Sequence, residues 1–358
     1  MADKNELKTV INKGLEKKKI NGLIIAVSDY VKKLLLFLVV FAAFFSCGKS
    51  EDKKDAGAGQ AANSGDKIKI ELVSKGYQHE FWRSVEAGAK KAGEELGVEV
   101  NFIGPEKETE IGKQVGMVEN AINKKVSALG IAALDPDALA VVAKKAMDAQ
   151  IPVVTFDSNV KDDITSSFIA TDNKAAGAMA GEQLAKLING KGKVAIVSHN
   201  PGTTTAIERE AGFREALAKY PDIKILNTQF SDGDKSKALA ITLDIINANP
   251  DIAGIYGTNE PSIFGVAKGV EEKGLTGKVA LVGIDSSEDL AKFLEKGVIS
   301  GLVIQDPYNM GYQTVQQLYK LSKGEKVEKR IDTGAILVTK ENMNNEDIVK
   351  KMFPFGRK

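Results

Sequence analysis

Cysteine is nearly absent from this chain of 358 residues: Cys47 is the only one, so no disulfide can form within it and a cysteine-built metal site is not expected. Histidine is scarce as well. Only His79 and His199 occur, and no His/Asp/Glu cluster has the spacing of a transition-metal site. Neither sign of charge dominates, with 49 Lys and Arg against 48 Asp and Glu. Residues 1–46 hold eight Lys and four acidic residues, which leaves 41 basic against 44 acidic in the remainder. That balance offers no basic face for nucleic acid. No apolar run is long enough to cross a bilayer; Leu34 to Phe45 is 12 residues, where a spanning helix needs about 20. There is no G-x-S-x-G elbow, no P-loop and no dinucleotide glycine fingerprint, and the AGAGQ text at 56–60 lies in a polar stretch. The aspartates of SDGD, 231–234, lack the remaining positions of a calcium loop and read as a turn. The two histidines read as polar contacts or loop residues rather than general bases. Nothing argues for an enzyme or for a cofactor.

What is present begins with the setting of Cys47. Lys32-Lys33, the short apolar run and Ser46 precede it, which is the pattern of a signal peptide over residues 1–46. Cys47 after that run resembles the lipobox of bacterial lipoproteins, with Phe44 where leucine is usual, and the resemblance implies acylation of the thiol. Val31-Lys32-Lys33 would open a basic n-region well, so translation is expected to start at codon 31, leaving residues 1–30 outside the protein. Residues 47–66, charged and small, read as a flexible tether.

From Lys67 onward the text alternates between β-rich runs and helical patterns. The first set of runs is 68–74, 98–104, 128–133 and 152–157, then FIATDN at 168–173. Between them lie apolar stripes at helical spacing: Phe81, Val85, Ala89, Ala92 and Leu96; Ile111, Val115, Val118 and Ile122; Leu139, Val142 and Ala146. A second set follows at 193–199, 223–230, 253–259, 278–285 and 299–305. Strands alternating with helices mean α/β architecture: two doubly wound parallel-sheet domains. With no Ser/Gly-rich linker after residue 66, short ordered strands are expected to join them. The expected partition is 67–171 plus about 306–332 for the N-terminal domain and 172–305 plus about 333–345 for the C-terminal one.

Ligands of open parallel sheets bind at the carboxyl ends of the strands, where loops and helix N-termini converge. Those ends carry Lys75 to His79, Asp157-Ser158, His199-Asn200, Asn259-Glu260, Asp285-Ser286 and Gln305-Asp306, with Phe81 and Trp82 beside the first. Carboxylates and amides suit vicinal hydroxyls, and an aromatic face suits the C–H face of a sugar ring. The set suits a polyol.

Many segments in one order resemble the ribose-type sugar-binding proteins of bacterial ABC transporters, with the type I periplasmic-binding fold. They include EFWRSVEAGAKKAGEELG, IPVVTFDSNV, FIATDNKAAG, TAIEREAGFREAL, LVGIDSSEDL and VIQDPYNMG, and the similarity runs from about Lys67 to Lys340. The resemblance implies that Phe81 and Trp82 pack on a sugar ring and that Asp157 takes two hydroxyls. It implies further polar contacts from Arg209, Asn259, Asp285 and Gln305, and places Asp172 at a hinge crossing. There are departures. Ser158 stands where ribose binders carry arginine, His79 where they carry asparagine, and Gly233 where an aromatic is expected. A roomier, less positive pocket follows, fit for a monosaccharide or related polyol that need not be ribose.

The function implied is a solute-binding lipoprotein of an ABC importer, held extracytoplasmically by a lipid anchor at Cys47. It would close on its ligand by a hinge, act as a monomer and deliver to a permease with a cytoplasmic ATPase. The alternative is a sensory protein that presents a sugar or furanone to a chemoreceptor or kinase. A sugar-responsive repressor, which shares this core, would need a DNA-binding domain where residues 1–66 offer a signal and a tether.

Overall fold

In the computed structural model of the chain, residues 67–356 are described. The start at codon 31, the signal peptide, Cys47 and the tether lie outside the described residues.

The first lobe is built on a sheet of six parallel strands. In chain order these are β1 (Lys69–Val73), β2 (Glu99–Ile103), β3 (Ala128–Ile131), β4 (Val153–Phe156), β5 (Phe168–Ala170) and, from far along the chain, β12 (Arg330–Asp332). Their order in space is β12-β5-β4-β3-β1-β2. Strand alternation sends Ile70 and Leu72 to a core with α1 (Glu80–Leu96) and α9 (Pro307–Ser322). Val73, Leu129 and Ile131 face the opposite core, under α2 (Ile111–Asn123) and α3 (Pro136–Asp148).

The second lobe's sheet contains β6 (Lys191–Ser198), β7 (Asp222–Ile225), β9 (Ile252–Gly257), β10 (Ala280–Ile284) and β11 (Gly301–Gln305) in parallel. An antiparallel edge strand, β13 (Ala335–Val338), pairs with β11. Helices α4 (Asn173–Leu187) and α5 (Thr204–Leu217) cover one face. The other is covered by α6 (Lys235–Ala248), α7 (Glu260–Glu272), α8 (Glu288–Glu295) and α10 (Glu346–Met352). The last of these lies beyond residue 345, and it puts Ile348 and Met352 into the second lobe's core.

Two details differ from the sequence reading. The run 223–230 is split: β7 ends at Ile225, and the two-residue β8 (Gln229–Phe230) pairs further along β6. Helix α2 is turned from its expected stripe, so that Ile111 is exposed while Gln114 is fully buried. Gln114 donates from Nε2 to the Ser74 and Ala132 carbonyls at 2.9 and 2.6 Å and accepts the Leu134 N–H at 2.9 Å. One amide thus satisfies backbone groups that the ends of β1 and β3 leave unpaired, which outweighs burying one more isoleucine.

Each lobe has a helix pair that packs backbone to backbone through a glycine on both helices. A Cβ on Gly88 of α1 would collide with the Tyr308 carbonyl, and one on Gly311 of α9 with that of Val85. Gly177 of α4 and Gly212 of α5 stand in the same relation to Arg209 and Lys174. The chain passes between the lobes three times, at Thr171–Asp172, Gln305–Asp306 and Thr333–Gly334. The first and third crossings are bonded to each other: Asp332 Oδ1 accepts the N–H of Asp172 at 3.1 Å and of Gly334 at 2.8 Å.

Candidate functional site

The carboxyl ends of both sheets face a shared cleft, because parallel strands all deliver their following loops to the same edge. Eight of the contact positions expected from sequence line one cavity there. His79, Phe81, Trp82 and Asp157 come from the first lobe, and Arg209, Asn259, Asp285 and Gln305 from the second.

The first-lobe half is an aromatic corner beside an ion pair. Phe81 and Trp82, in the first turn of α1, meet edge to face with ring centres 5.0 Å apart. Both also belong to the core behind them, so their exposed faces are held rigidly. Asp157 follows β4 in left-handed backbone, φ 58°, a conformation that aspartate tolerates better than most side chains. Its Oδ2 pairs with Lys75 Nζ at 2.7 Å and accepts the Ser158 hydroxyl at 2.7 Å. Ser158 itself is fully buried behind Asp157 and does not line the cavity; its Oγ accepts from Lys75 Nζ at 2.8 Å.

The second-lobe half is a network of amides and helix starts. Asp285 follows β10 with φ 84°. Its Oδ2 accepts the Glu260 N–H at 2.8 Å, and its Oδ1 accepts from Gln305 Nε2 at 2.6 Å. Asn259 caps α7: its Oδ1 accepts the Ser262 N–H at 3.1 Å, and its Nδ2 is left for the cleft. Arg209 ignores its neighbours Glu208 and Glu210. It donates from Nε to Asn173 Oδ1 and from Nη1 to the Thr258 carbonyl, both at 2.8 Å. Asp172, in the first crossing, caps α4 by accepting the Ala175 N–H at 2.9 Å.

Five more residues line the cavity: Lys75, His199 and Glu260, which were placed at strand ends but given no contact, and Glu108 and Pro261, which were not singled out. Lys75 overturns the expectation of a less positive pocket. Its buried ammonium occupies the neighbourhood of Ser158, so a cation is supplied from β1's end in place of an arginine after Asp157. Nor is room left open beside Gly233, because a Cβ there would lie 3.5 Å from Glu108 Oε2. His199 bridges Thr258 and Thr205 through its two ring nitrogens, each at 2.9 Å. Burial, followed by the charges of Lys75 and Arg209, holds its pKa well below 6.5, so it is neutral. Burial raises the Glu260 carboxyl, an effect that Lys235, 3.2 Å from Oε1, only partly offsets. Lys75 and His199 could be placed at strand ends from sequence, but their direction into the cleft could not. Glu108, in the loop after β2, carried no signal that separated it from solvated charge.

Four hydrogen bonds tie the lobes together across the cleft. Lys75 Nζ donates to Thr205 Oγ1 at 3.1 Å and the Asn159 N–H to Thr204 Oγ1 at 3.2 Å. Asn200 Nδ2 donates to the Glu108 carbonyl at 2.5 Å and the Glu288 N–H to Glu80 Oε2 at 3.2 Å. The lobes therefore stand closed.

Comparison with known proteins agrees with this geometry. The ribose import binding protein of Salmonella typhimurium is 29% identical over 281 residues, covering 78% of this chain and 94% of its own. A carbohydrate transporter solute-binding protein of Agrobacterium radiobacter, solved in complex with D-arabinose, is 36% identical with a TM-score of 0.78, covering 81% of this chain and all of its own. An ABC transporter solute-binding protein of Agrobacterium vitis with bound D-fucose is 38% identical with a TM-score of 0.77, covering 78% and 98%. Residues 70–326 match the family described as periplasmic binding protein domain, and the chain belongs to that family.

Proposed function

We propose that this protein is the extracytoplasmic solute-binding component of an ABC importer and that it captures a neutral monosaccharide or related polyol in the cleft. One observation carries the reading. Asp157 and Asp285 end equivalent strands of the two lobes, both in left-handed backbone, on either side of the aromatic corner. Strained backbone of this kind persists where the surroundings over-determine it, and it gathers at ligand clamps. The two carboxylates offer paired acceptors to vicinal hydroxyls, and Phe81 and Trp82 offer a flat apolar face to the ring. Lys75 and Arg209 stand against Asp157, Asp285 and Glu108, so the lining disfavours an anionic ligand such as a sugar acid.

A ligand held by both halves stabilises the closed arrangement by its differential affinity for it, and the three crossings are the natural pivot. Closure thereby becomes the state that a permease, served by a cytoplasmic ATPase, can distinguish from the open one. Asp172 acts here as a hinge residue. The chain works as a monomer anchored to a membrane through acylated Cys47, which the short apolar run before it supports.

Trp82 is the chain's single tryptophan, so its fluorescence reports directly on the cleft. Titration with D-ribose, D-arabinose, D-allose, D-galactose, D-fucose and myo-inositol should change that emission saturably for at least one of them. The same ligand should raise the melting temperature by mass action. Flat titrations and unmoved melting across the whole panel would falsify the assignment.

A further inference from the structure

Glu108 is buried and central, and beyond the charge balance of the lining it has been given no contact with the ligand. It lies on the loop between β2 and α2, and its side chain is only 5% exposed. Three arrangements converge on it. Its Oε1 accepts the Trp82 Nε1–H at 2.9 Å. Its backbone carbonyl accepts from Asn200 of the other lobe at 2.5 Å. Gly76 makes room for its side chain, since a Cβ there would crowd its Cγ at 3.2 Å, and Gly233 of the other lobe lies against its Oε2, 3.5 Å from where a Cβ would stand. His79 Nε2 approaches only to 3.9 Å, beyond hydrogen-bond reach. Oε2 therefore has no hydrogen-bond partner among the described residues, and it belongs to a side chain that lines the cavity.

We propose that Glu108 is a specificity-determining residue: its Oε2 accepts one particular hydroxyl of the bound sugar at the Gly233 side of the cleft. A carboxylate is an acceptor only, with several lone-pair directions, and one oxygen is already fixed by the indole. The other is then presented with its orientation set. A ligand hydroxyl there makes a charge-assisted bond, and a ligand lacking it leaves a buried carboxylate oxygen without a partner. Because Gly233 and Asn200 belong to the second lobe, this acceptor is walled in only when the lobes are closed. The hydroxyl is thus read at closure rather than at first encounter. The inference rests on the sugar-binding reading and narrows it from a class of ligand to a choice within the class.

The test is a cycle between residue and hydroxyl. Glu108→Gln keeps a carbonyl for the Trp82 N–H but turns the second acceptor into a donor. Dissociation constants are measured by Trp82 fluorescence and by calorimetry for the five aldoses named above, then for each monodeoxy form of the tightest binder. Glu108→Gln should weaken the parent sugar roughly tenfold or more, the loss of a hydrogen bond to a charged group. For the one deoxy form lacking the hydroxyl that Glu108 reads, the same substitution should cost about threefold or less. Equal losses for the parent and every deoxy form would make Glu108 merely a support for Trp82 and overturn the inference, as would no loss at all. Should Glu108→Gln fail to fold, Glu108→Asp, which keeps the charge but withdraws the oxygen, is put through the same cycle. A wild-type chain that binds none of the aldoses overturns the sugar reading, and this inference with it; binding with unaltered selectivity overturns the inference alone.

Discussion

The two halves of the cleft each present an aspartate from a strand end in left-handed backbone, yet they hold it by different means. In the first lobe Asp157 is balanced by a buried cation, Lys75, with Ser158 joining the two. In the second, Asp285 is held by neutral donors, a backbone N–H and the Gln305 amide. A buried ion pair is costly to break on one side, because the surviving charge stays in a poorly solvating place. A carboxylate held by neutral donors leaves behind only unpaired dipoles when it is removed. The first half should be the brittle one and the second the tolerant one.

The largest effect should come from Asp157→Ala. It strands the Lys75 ammonium and puts alanine into left-handed backbone, costing about 3–5 kcal/mol in urea denaturation. Ligand-induced change in Trp82 fluorescence should be lost with it. Adding Lys75→Met should restore much of the stability without restoring binding. A double variant no more stable than Asp157→Ala would dissolve the contrast between the halves.

Asp285→Ala should cost less, about 1–3 kcal/mol, from the Glu260 N–H and Gln305 amide left unpaired. It should nevertheless abolish binding as completely, measured by calorimetry. If it destabilises the fold as much as Asp157→Ala, the second half is as brittle as the first.

The smallest effect is one of pH. Below 6.5 the unfolded chain takes up a proton at His199 that the folded chain refuses, since burial and the Lys75 and Arg209 charges hold its folded pKa low. Stability therefore falls as pH drops from 6.5 toward that lower value. His199→Gln should flatten this part of the curve, read as a smaller difference between urea midpoints at pH 7.5 and 5.5. An unchanged difference would show that His199 does not contribute.

The architecture was legible because strand and helix periodicities alternate without interruption from Lys67 to Gln305. Asp157, Asn259, Asp285 and Gln305 were legible for a related reason: where parallel strands end is nearly where their residues must point. Lys75 was visible at such an end, but lysine is so rarely buried that nothing in the text turned it inward. Glu108 was hidden more thoroughly. GPEKETE reads as solvated charge, and what encloses Glu108 is distant in the chain: Trp82 and Gly76 of its own lobe, and Gly233 and Asn200 of the other, more than 90 residues away. The turned face of α2 was illegible too, since what fixes it is one amide bonded to backbone, not an apolar stripe.

The glycine-joined helix pairs also bear on the order in which the chain can mature on the ribosome. The second lobe's pair, α4 with α5, is complete once residue 217 has been made. The first lobe's pair joins α1, whose residues are among the earliest of the body, to α9, which ends at Ser322. Its edge strand β12 comes later still, at Asp332. The lobe that is translated first thus stays unfinished until most of the second has been made, and its aromatic corner waits on partners from the far end of the chain.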